Sequence, residues 1–102
     1  MSSTPFVTIH PEMLSAAAGD LAAIGTEMSA ANVAAAGPTG GVVAAAADEV
    51  SALTAAHFAA HAGHYQAVSE AAAAVHSLLA STLQTSATSY AATEAANAIA
   101  AG

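Results

Sequence analysis

The stretch Gly37-Pro38-Thr39-Gly40-Gly41 decides the fold, because it is a dense cluster of helix breakers between two long alanine-rich segments. Glycine and proline end helices, and a connection of about five residues joins neighbouring helices in opposite directions. The hydrophobic pattern on both sides of the cluster has a helical period. The sequence therefore predicts an all-α protein that forms an antiparallel two-helix hairpin.

The segment before this turn is predicted as helix 1, over about residues 11–36. At about 100° per residue, its larger apolar side chains form one stripe and its acids lie on the opposite side. The stripe consists of Leu14, Leu21, Ile24 and Met28. Pro11 suits a first helical position, and Glu12 suits the positive end of the helix dipole. Thr8 is the better N-cap by residue type, although His10 directly precedes Pro11.

The segment after the turn is predicted as helix 2, over about residues 44–86, with a start between Val42 and Asp48. Its apolar residues also recur with helical spacing. The predicted interface on helix 2 consists of Val50, Leu53, Phe58, His61, Tyr65, Val68, Ala72, Val75, Leu79 and Leu83. The Ser- and Thr-containing residues 87–102 are expected to be a fraying helix end or a tail that orders on binding.

These lengths predict that the hairpin is incomplete without a partner. Helix 1 can cover only about the first 26 residues of helix 2, so that Val75, Leu78, Leu79 and Leu83 are left uncovered near its end. Two helices cannot enclose both of their apolar faces, and a bundle needs three or four. Alanine supplies 34 of the 102 residues and Leu, Ile, Val and Phe together only 18, so the chain buries little apolar surface. We expect the chain to fold fully only against another protein.

The charge balance is one-sided, with seven acids, no Lys or Arg and a net charge of −7. Nucleic acid and anionic membranes are therefore poor candidate partners, and Arg or Lys clamps for anionic substrates are absent. The absence of Cys removes disulfides, thiol catalysis and Cys-based metal sites. Residues 1–12 lack the basic and apolar regions of a secretory signal peptide, and no apolar run reaches the ~20 residues that cross a bilayer.

Four features together resemble the PE proteins of mycobacteria. They are Pro11-Glu12 after a short N-terminal lead, two alanine-rich helices around a Gly/Pro turn, the helix-2 stretch at residues 46–56, and Tyr90-Ala91-Ala92-Thr93-Glu94 near the C-terminus. The resemblance covers almost the whole chain, which is expected to form a single PE domain over residues 1–102 with no C-terminal extension.

The resemblance implies a binding function. PE proteins pair one-to-one with PPE proteins, whose two longest helices complete a four-helix bundle with the PE hairpin. A type VII secretion system exports the folded pair without a cleaved signal peptide, so that a secreted or cell-surface location is expected. Tyr90 and Glu94 match the family's Tyr-x-x-x-Asp/Glu secretion motif, which acts together with a Trp-x-Gly turn on the partner. A cytosolic chaperone binds the PPE member.

Two other functions are weighed against this one. His57, His61 and His64 share a helix face at the spacing i, i+4, i+7, which suits a zinc site, but they lie within the apolar stripe and have no acid close by. A packing or interface role is therefore favoured over a pH-sensitive contact or a metal site, and we predict no metal or cofactor. A component associated with the outer envelope after export is the second alternative, although alanine-rich helices without a basic face bind lipid weakly.

The chain has no Gly-x-Ser-x-Gly elbow, and we predict a non-enzymatic protein. No role is assigned to His10 or His76.

Overall fold

The structure is a computed structural model that describes residues 8–102, and all regular structure in this part of the chain is helical. Helix α1 comprises Pro11–Gly40 and helix α2 comprises Glu49–Ala101. The two helices run antiparallel in an elongated body of 82 × 24 × 14 Å. This confirms the predicted all-α hairpin. Most of the N-terminal segment on which the signal-peptide prediction rests lies outside the described residues.

Helix α1 begins as its sequence indicates but has no side-chain cap. His10 is the N-cap residue, and its carbonyl accepts hydrogen bonds from the amides of Met13 (3.0 Å) and Leu14 (3.2 Å). Thr8, which residue type favours as the cap, lies outside the helix and is exposed. Pro11 fixes the helical φ at the first position, and this replaces the cap as the signal that starts the helix.

Helix α1 also ends later than predicted, at Gly40 rather than at about residue 36. Pro38 lies inside the last turn, where its fixed φ is compatible with a helix and only one backbone hydrogen bond is lost. The amide of Gly41 donates to the carbonyl of Gly37 (2.9 Å) and closes the helix. The breaker cluster therefore forms the last turn of α1, and residues 41–48 make the connection.

Helix α2 begins at Glu49 because Asp48 caps it. The backbone of Asp48 is extended, and its Oδ1 accepts a hydrogen bond of 2.8 Å from the amide of Ser51. The hydroxyl of Ser51 donates to Oδ2 of the same carboxylate at 3.1 Å. The predicted start at about residue 44 is too early, because the alanines before Asp48 offer no acceptor for the free amides of a first turn.

Helix α2 continues without interruption to Ala101, so residues 87–101, expected as a fraying helix end or a tail, are helical in this structure. Residues 91–101 are mostly alanine, the best helix former. The threonines before and within this stretch satisfy their hydroxyls inside the helix: Thr85, Thr88 and Thr93 donate to the carbonyls of Ser81, Gln84 and Ser89 at 3.0, 3.1 and 3.0 Å. The amide of Gly102 closes the last turn on Ala98.

The seam between the helices consists of small and polar residues. Its buried members are Ala18 on α1 and Ala62, Ala80 and Ala87 on α2. On α2 most buried and half-buried positions recur at spacings of three, four or seven: Ser51, Ala55, Ala59, Ala62, Gln66, Ser69, His76, Ala80, Leu83 and Ala87, with Ser86 half-buried beside them. A seven-residue repeat is the pattern of left-handed helix pairs that pack side by side. The hairpin is therefore held by close approach of the two backbones.

Polar contacts between the helices fix their register. Ser15 donates to the side chain of Gln84 (3.1 Å), the imidazole Nε2 of His76 donates to the carbonyl of Leu21, and Gln66 donates to the carbonyl of Asn32 (3.2 Å). In this register α1 lies along α2 as far as Ala87, well beyond the predicted limit near residue 70. The difference arises because residues 42–48 belong to the connection, which shifts the paired part of α2 toward its C-terminus.

Candidate partner-binding face and export motif

The larger apolar side chains of the hairpin lie on one side of the seam, which we call the apolar face. It consists of Leu14, Leu21, Ile24 and Met28 on α1 and of Phe58, His61, Tyr65, Val68, Ala72, Val75 and Leu79 on α2. At about 100° per residue, these positions fall on the same side of the line along which the two helices pack. Val68 and Leu79 are 57 and 55 % exposed. The structure thus brings most of the predicted interface residues onto one uncovered surface.

The other predicted interface residues lie at the two edges of this face. Val50 and Leu53 are exposed near the turn end of the hairpin, and Leu83 is half-buried in the seam. Val75, Leu78, Leu79 and Leu83 were expected to be uncovered because helix 1 stops short of them. In the structure α1 runs alongside that part of α2. The expectation is wrong for Leu83, which is half-buried in the seam, whereas the other three side chains are exposed because they point away from the seam.

The opposite side of the seam carries a groove of about 630 Å³, which we call the polar groove. Its lining includes Ala22, Thr26 and Ser29 on α1 and Ser77 and Ser81 on α2. Small hydroxyl side chains and alanines leave little apolar area there. The two sides of the hairpin therefore differ in chemistry, because the contiguous row of large apolar side chains lies on the apolar face.

The predicted secretion motif lies on a regular helix. Every residue from Thr88 to Gly102 is exposed, whereas Ala87 is only 2 % exposed, so the end of the packed seam coincides with Ala87. Tyr90 is 44 % exposed. A tyrosine and a carboxylate four residues apart lie on the same side of an α-helix. Tyr90 and Glu94 therefore form one accessible surface feature.

Glu94 also lies close to the start of α1. It lines a cavity of about 510 Å³ together with Pro11 and Glu12, on the side of the polar groove. The Glu12 carboxylate is also 3.5 Å from Nδ1 of His10, an ion pair when the imidazole is protonated. The antiparallel hairpin thus brings the Pro-Glu pair of the sequence next to the last residue of the secretion motif.

The comparisons with known proteins assign the family. A family model described as the PE family matches residues 7–97. The chain belongs to the PE family. It is 65 % identical over 96 residues to the PE family protein PE13 of Mycobacterium tuberculosis, which covers 94 % of this chain and 97 % of PE13. It is 55 % identical to the PE-PGRS family proteins PE_PGRS11 and PE_PGRS33 of the same species, over 87 and 91 % of this chain but only 15 and 19 % of those relatives.

The described histidines of this PE protein are not clustered with other metal-ligand side chains. Within residues 8–102, no group of three or more His, Asp or Glu side chains is arranged to hold a metal ion. His57, His61 and His64 share a helix face, as predicted, and all three are exposed, with His61 lining a cleft together with Phe58 and Tyr65. The described geometry thus gives no support to the zinc alternative.

The sequence reasoning missed the residue that ties the two helices of this PE protein together. His76, to which no role was assigned, is half-buried in the seam and donates a hydrogen bond to the carbonyl of Leu21. The seven-residue spacing of His76 with Ser69, Leu83 and Ala62 fits the seam, but it does not stand out in an alanine-rich sequence. Neither helix described in residues 8–102 is apolar enough over a sufficient length to span a membrane.

Proposed function

We propose that this PE protein is a non-enzymatic subunit that pairs one-to-one with a PPE protein through the apolar face and carries the C-terminal signal for type VII export of the pair. The observation that carries the proposal is that small and large side chains occupy different surfaces of the hairpin. Alanines fill the seam of the hairpin, whereas large apolar residues stay exposed along one face. Contiguous exposed apolar patches of this kind are typical of protein–protein interfaces.

The shape of the apolar face suits a helical partner. From Phe58 to Leu79 it extends along about 31 Å of α2, and Leu14 to Met28 run beside it on α1. Two long helices laid along this face would bury these side chains and complete a four-helix bundle. The two longest helices of a PPE protein are the partner that family membership suggests.

The negative charge of the chain indicates which charges the partner should carry around the interface. The PE protein has a net charge of −7 and no Lys or Arg, so every Lys or Arg at the rim of the interface must come from the partner. Glu27 and Glu70 are exposed but lie away from the apolar face, so their charge acts on the approach of the partner rather than through ion pairs at the rim. Charge complementarity of this kind mainly raises the association rate and selects among partners.

The export part of the proposal rests on Tyr90 and Glu94. Both lie beyond the last buried residue of the seam, on an exposed helical segment that the hairpin does not need for its own packing. Secretion machinery could therefore contact them without unfolding the bundle. A secreted or cell-surface location follows from this role, with a cytosolic chaperone acting on the PPE subunit before export.

Co-expression with candidate PPE proteins tests the pairing. We expect an affinity-tagged PPE protein to retain the untagged chain, and size-exclusion chromatography with light scattering to give a 1:1 mass. The chain expressed alone should be poorly folded or aggregated, because its apolar face is uncovered. A chain that is monomeric, melts cooperatively by itself and binds none of the candidates would overturn the proposal.

A further inference from the structure

A cleft of about 400 Å³ opens on the apolar face at the turn end of the hairpin. Its walls include Phe58, His61 and Tyr65 on α2 and Ala35, Pro38 and Val42 on the other side. Phe58 and Tyr65 are seven residues apart, so their rings stand about 10 Å apart along the helix on the same side. The cleft is therefore a gap between two aromatic rings, with the last turn of α1 as its far wall.

One wall of this cleft is held in place from across the hairpin. The hydroxyl of Tyr65 makes a long hydrogen bond of 3.5 Å to the side chain of Asn32, and the neighbouring Gln66 donates to the carbonyl of Asn32 at 3.2 Å. These two contacts tie the ring position of Tyr65 to α1. A ring that is fixed before binding loses less conformational freedom when a partner packs against it.

We infer that this cleft receives one large apolar side chain from the helical partner and acts as the anchor of the interface. The inference rests on the proposed pairing. The cleft is continuous with the apolar face through Tyr65 and Val68, so a helix laid along that face also passes over the cleft. No Asp or Glu lines it, so a charged side chain would enter without a counter-charge.

Anchor side chains that fill apolar pockets dominate binding energy in protein interfaces, whereas surrounding contacts contribute little. The cleft fits that role because its aromatic walls are exposed and have no occupant from within the described chain: Phe58 is 60 % and Tyr65 is 54 % exposed. The partner should therefore present a Leu, Met, Phe or Trp at the position that faces the turn end of the hairpin.

Titration of purified variants against the partner tests the anchor. Phe58→Ala and Tyr65→Ala should each raise the Kd of the heterodimer by about tenfold or more. Thr39→Phe, which places a ring at the edge of the cleft without removing a wall, should weaken binding to a similar extent. Val33→Ala is the matched control, because Val33 is exposed but does not line the cleft, and it should change the Kd less than about twofold.

A photo-cross-linking residue at His61 identifies the occupant. The expected product is a covalent adduct with a large apolar residue of the PPE protein, located by mass spectrometry. An adduct between two copies of this chain would assign the cleft to self-association and overturn the inference. Equal Kd values for Phe58→Ala, Tyr65→Ala and Val33→Ala would also overturn it and leave the pairing proposal intact, whereas failure of the unmodified chain to bind any PPE protein would refute the pairing itself.

Discussion

His76 of α2 lies directly against Gly25 of α1, at a place where any larger residue would collide with the ring: a Cβ at position 25 would lie 2.7 Å from the imidazole Cδ2. The same imidazole donates a hydrogen bond to the backbone carbonyl of Leu21, one helical turn earlier on α1. The absence of a side chain at position 25 therefore lets α2 reach the backbone of α1. This contact lies near the middle of the hairpin and fixes both its spacing and its register.

Replacing Gly25 tests this relationship. Gly25→Ala gains about 1 kcal/mol of helix propensity but displaces the imidazole and breaks its hydrogen bond to Leu21. Gly19→Ala gains the same propensity with no atom within 4 Å of the new methyl group. We expect the Gly25 variant of the heterodimer to be about 1–2 kcal/mol less stable than the Gly19 variant, measured by chemical denaturation.

A double variant shows whether the clash with the ring is the cause. In a His76→Ala background the collision is absent, so Gly25→Ala should there be as favourable as Gly19→Ala. If Gly25→Ala stabilises the unmodified complex as much as Gly19→Ala does, the imidazole is free to move aside and does not fix the register.

The N-cap of α2 predicts a dependence on pH. The hydrogen bonds from the amide and hydroxyl of Ser51 lower the pKa of Asp48 below its ordinary value of 3.8. Because the folded pKa is the lower one, the contribution of Asp48 to stability is present above about pH 4 and is lost as the pH falls through the folded pKa. The Tm of the complex should therefore decrease for this reason as the pH falls below about 4.

The Asp48→Asn variant separates the contribution of Asp48 to the pH dependence of the Tm from the contributions of the other carboxylates. Asparagine can cap the same amide but does not titrate, so the Tm difference between the unmodified protein and Asp48→Asn should shrink in acid. Asp48→Ala should lower the Tm at pH 7, because Ser51 then loses its acceptor. An unchanged Tm for Asp48→Ala at pH 7 would mean that the cap contributes nothing to the start of α2.

The hairpin could be predicted from sequence because its signals are local. A cluster of glycine and proline between two helical stretches defines two antiparallel helices whatever their partners are. The exact residues at which the helices begin and end depend on which local interaction is stronger there. Pro38 is tolerated in the last turn of α1, and the cap at Asp48 prevails over the helix propensity of the alanines before it.

The seam could not be predicted in the same way. A third of the residues are alanine, so a stripe of small side chains at spacings of three and four does not stand out from its background. The larger apolar residues do stand out, but they mark the apolar face beside the seam and not the seam itself. His76 lies 55 residues from Leu21, and only the register of the two helices reveals that they meet.

Charge substitutions on the two sides of the seam test the assignment of the faces. Val68→Asp or Leu79→Asp should abolish heterodimer formation, because an unpaired carboxylate buried against the partner costs several kcal/mol. Ser81→Asp, in the polar groove, and Asp20→Ala, which is exposed, should leave co-purification unchanged. Equal yields of all four complexes would show that the partner does not use the apolar face.

The secretion motif predicts a separation of export from assembly. Tyr90→Ala and Glu94→Ala should leave the Tm of the complex nearly unchanged, because both side chains lie beyond the last buried residue of the seam. Export should stop, with the protein retained in the cytosol and absent from the culture filtrate. Ser89→Ala is the control and should be exported normally. Normal secretion of both motif variants would remove Tyr90 and Glu94 from the export signal.

Because α2 is continuous, the number of residues between the seam and the predicted secretion motif determines the direction in which the motif points. From Glu49 to Ala101 the helix has no kink or break that could absorb a change in length. One residue inserted between Ala87 and Tyr90 would advance the motif by only about 1.5 Å but turn it by about 100°, away from the direction it now has relative to the apolar face. Residues 41–48, which are not helical, can change in number without such a rotation. In this hairpin, residues can be inserted into or deleted from the connection, whereas an insertion or deletion within α2 changes the direction in which the motif points.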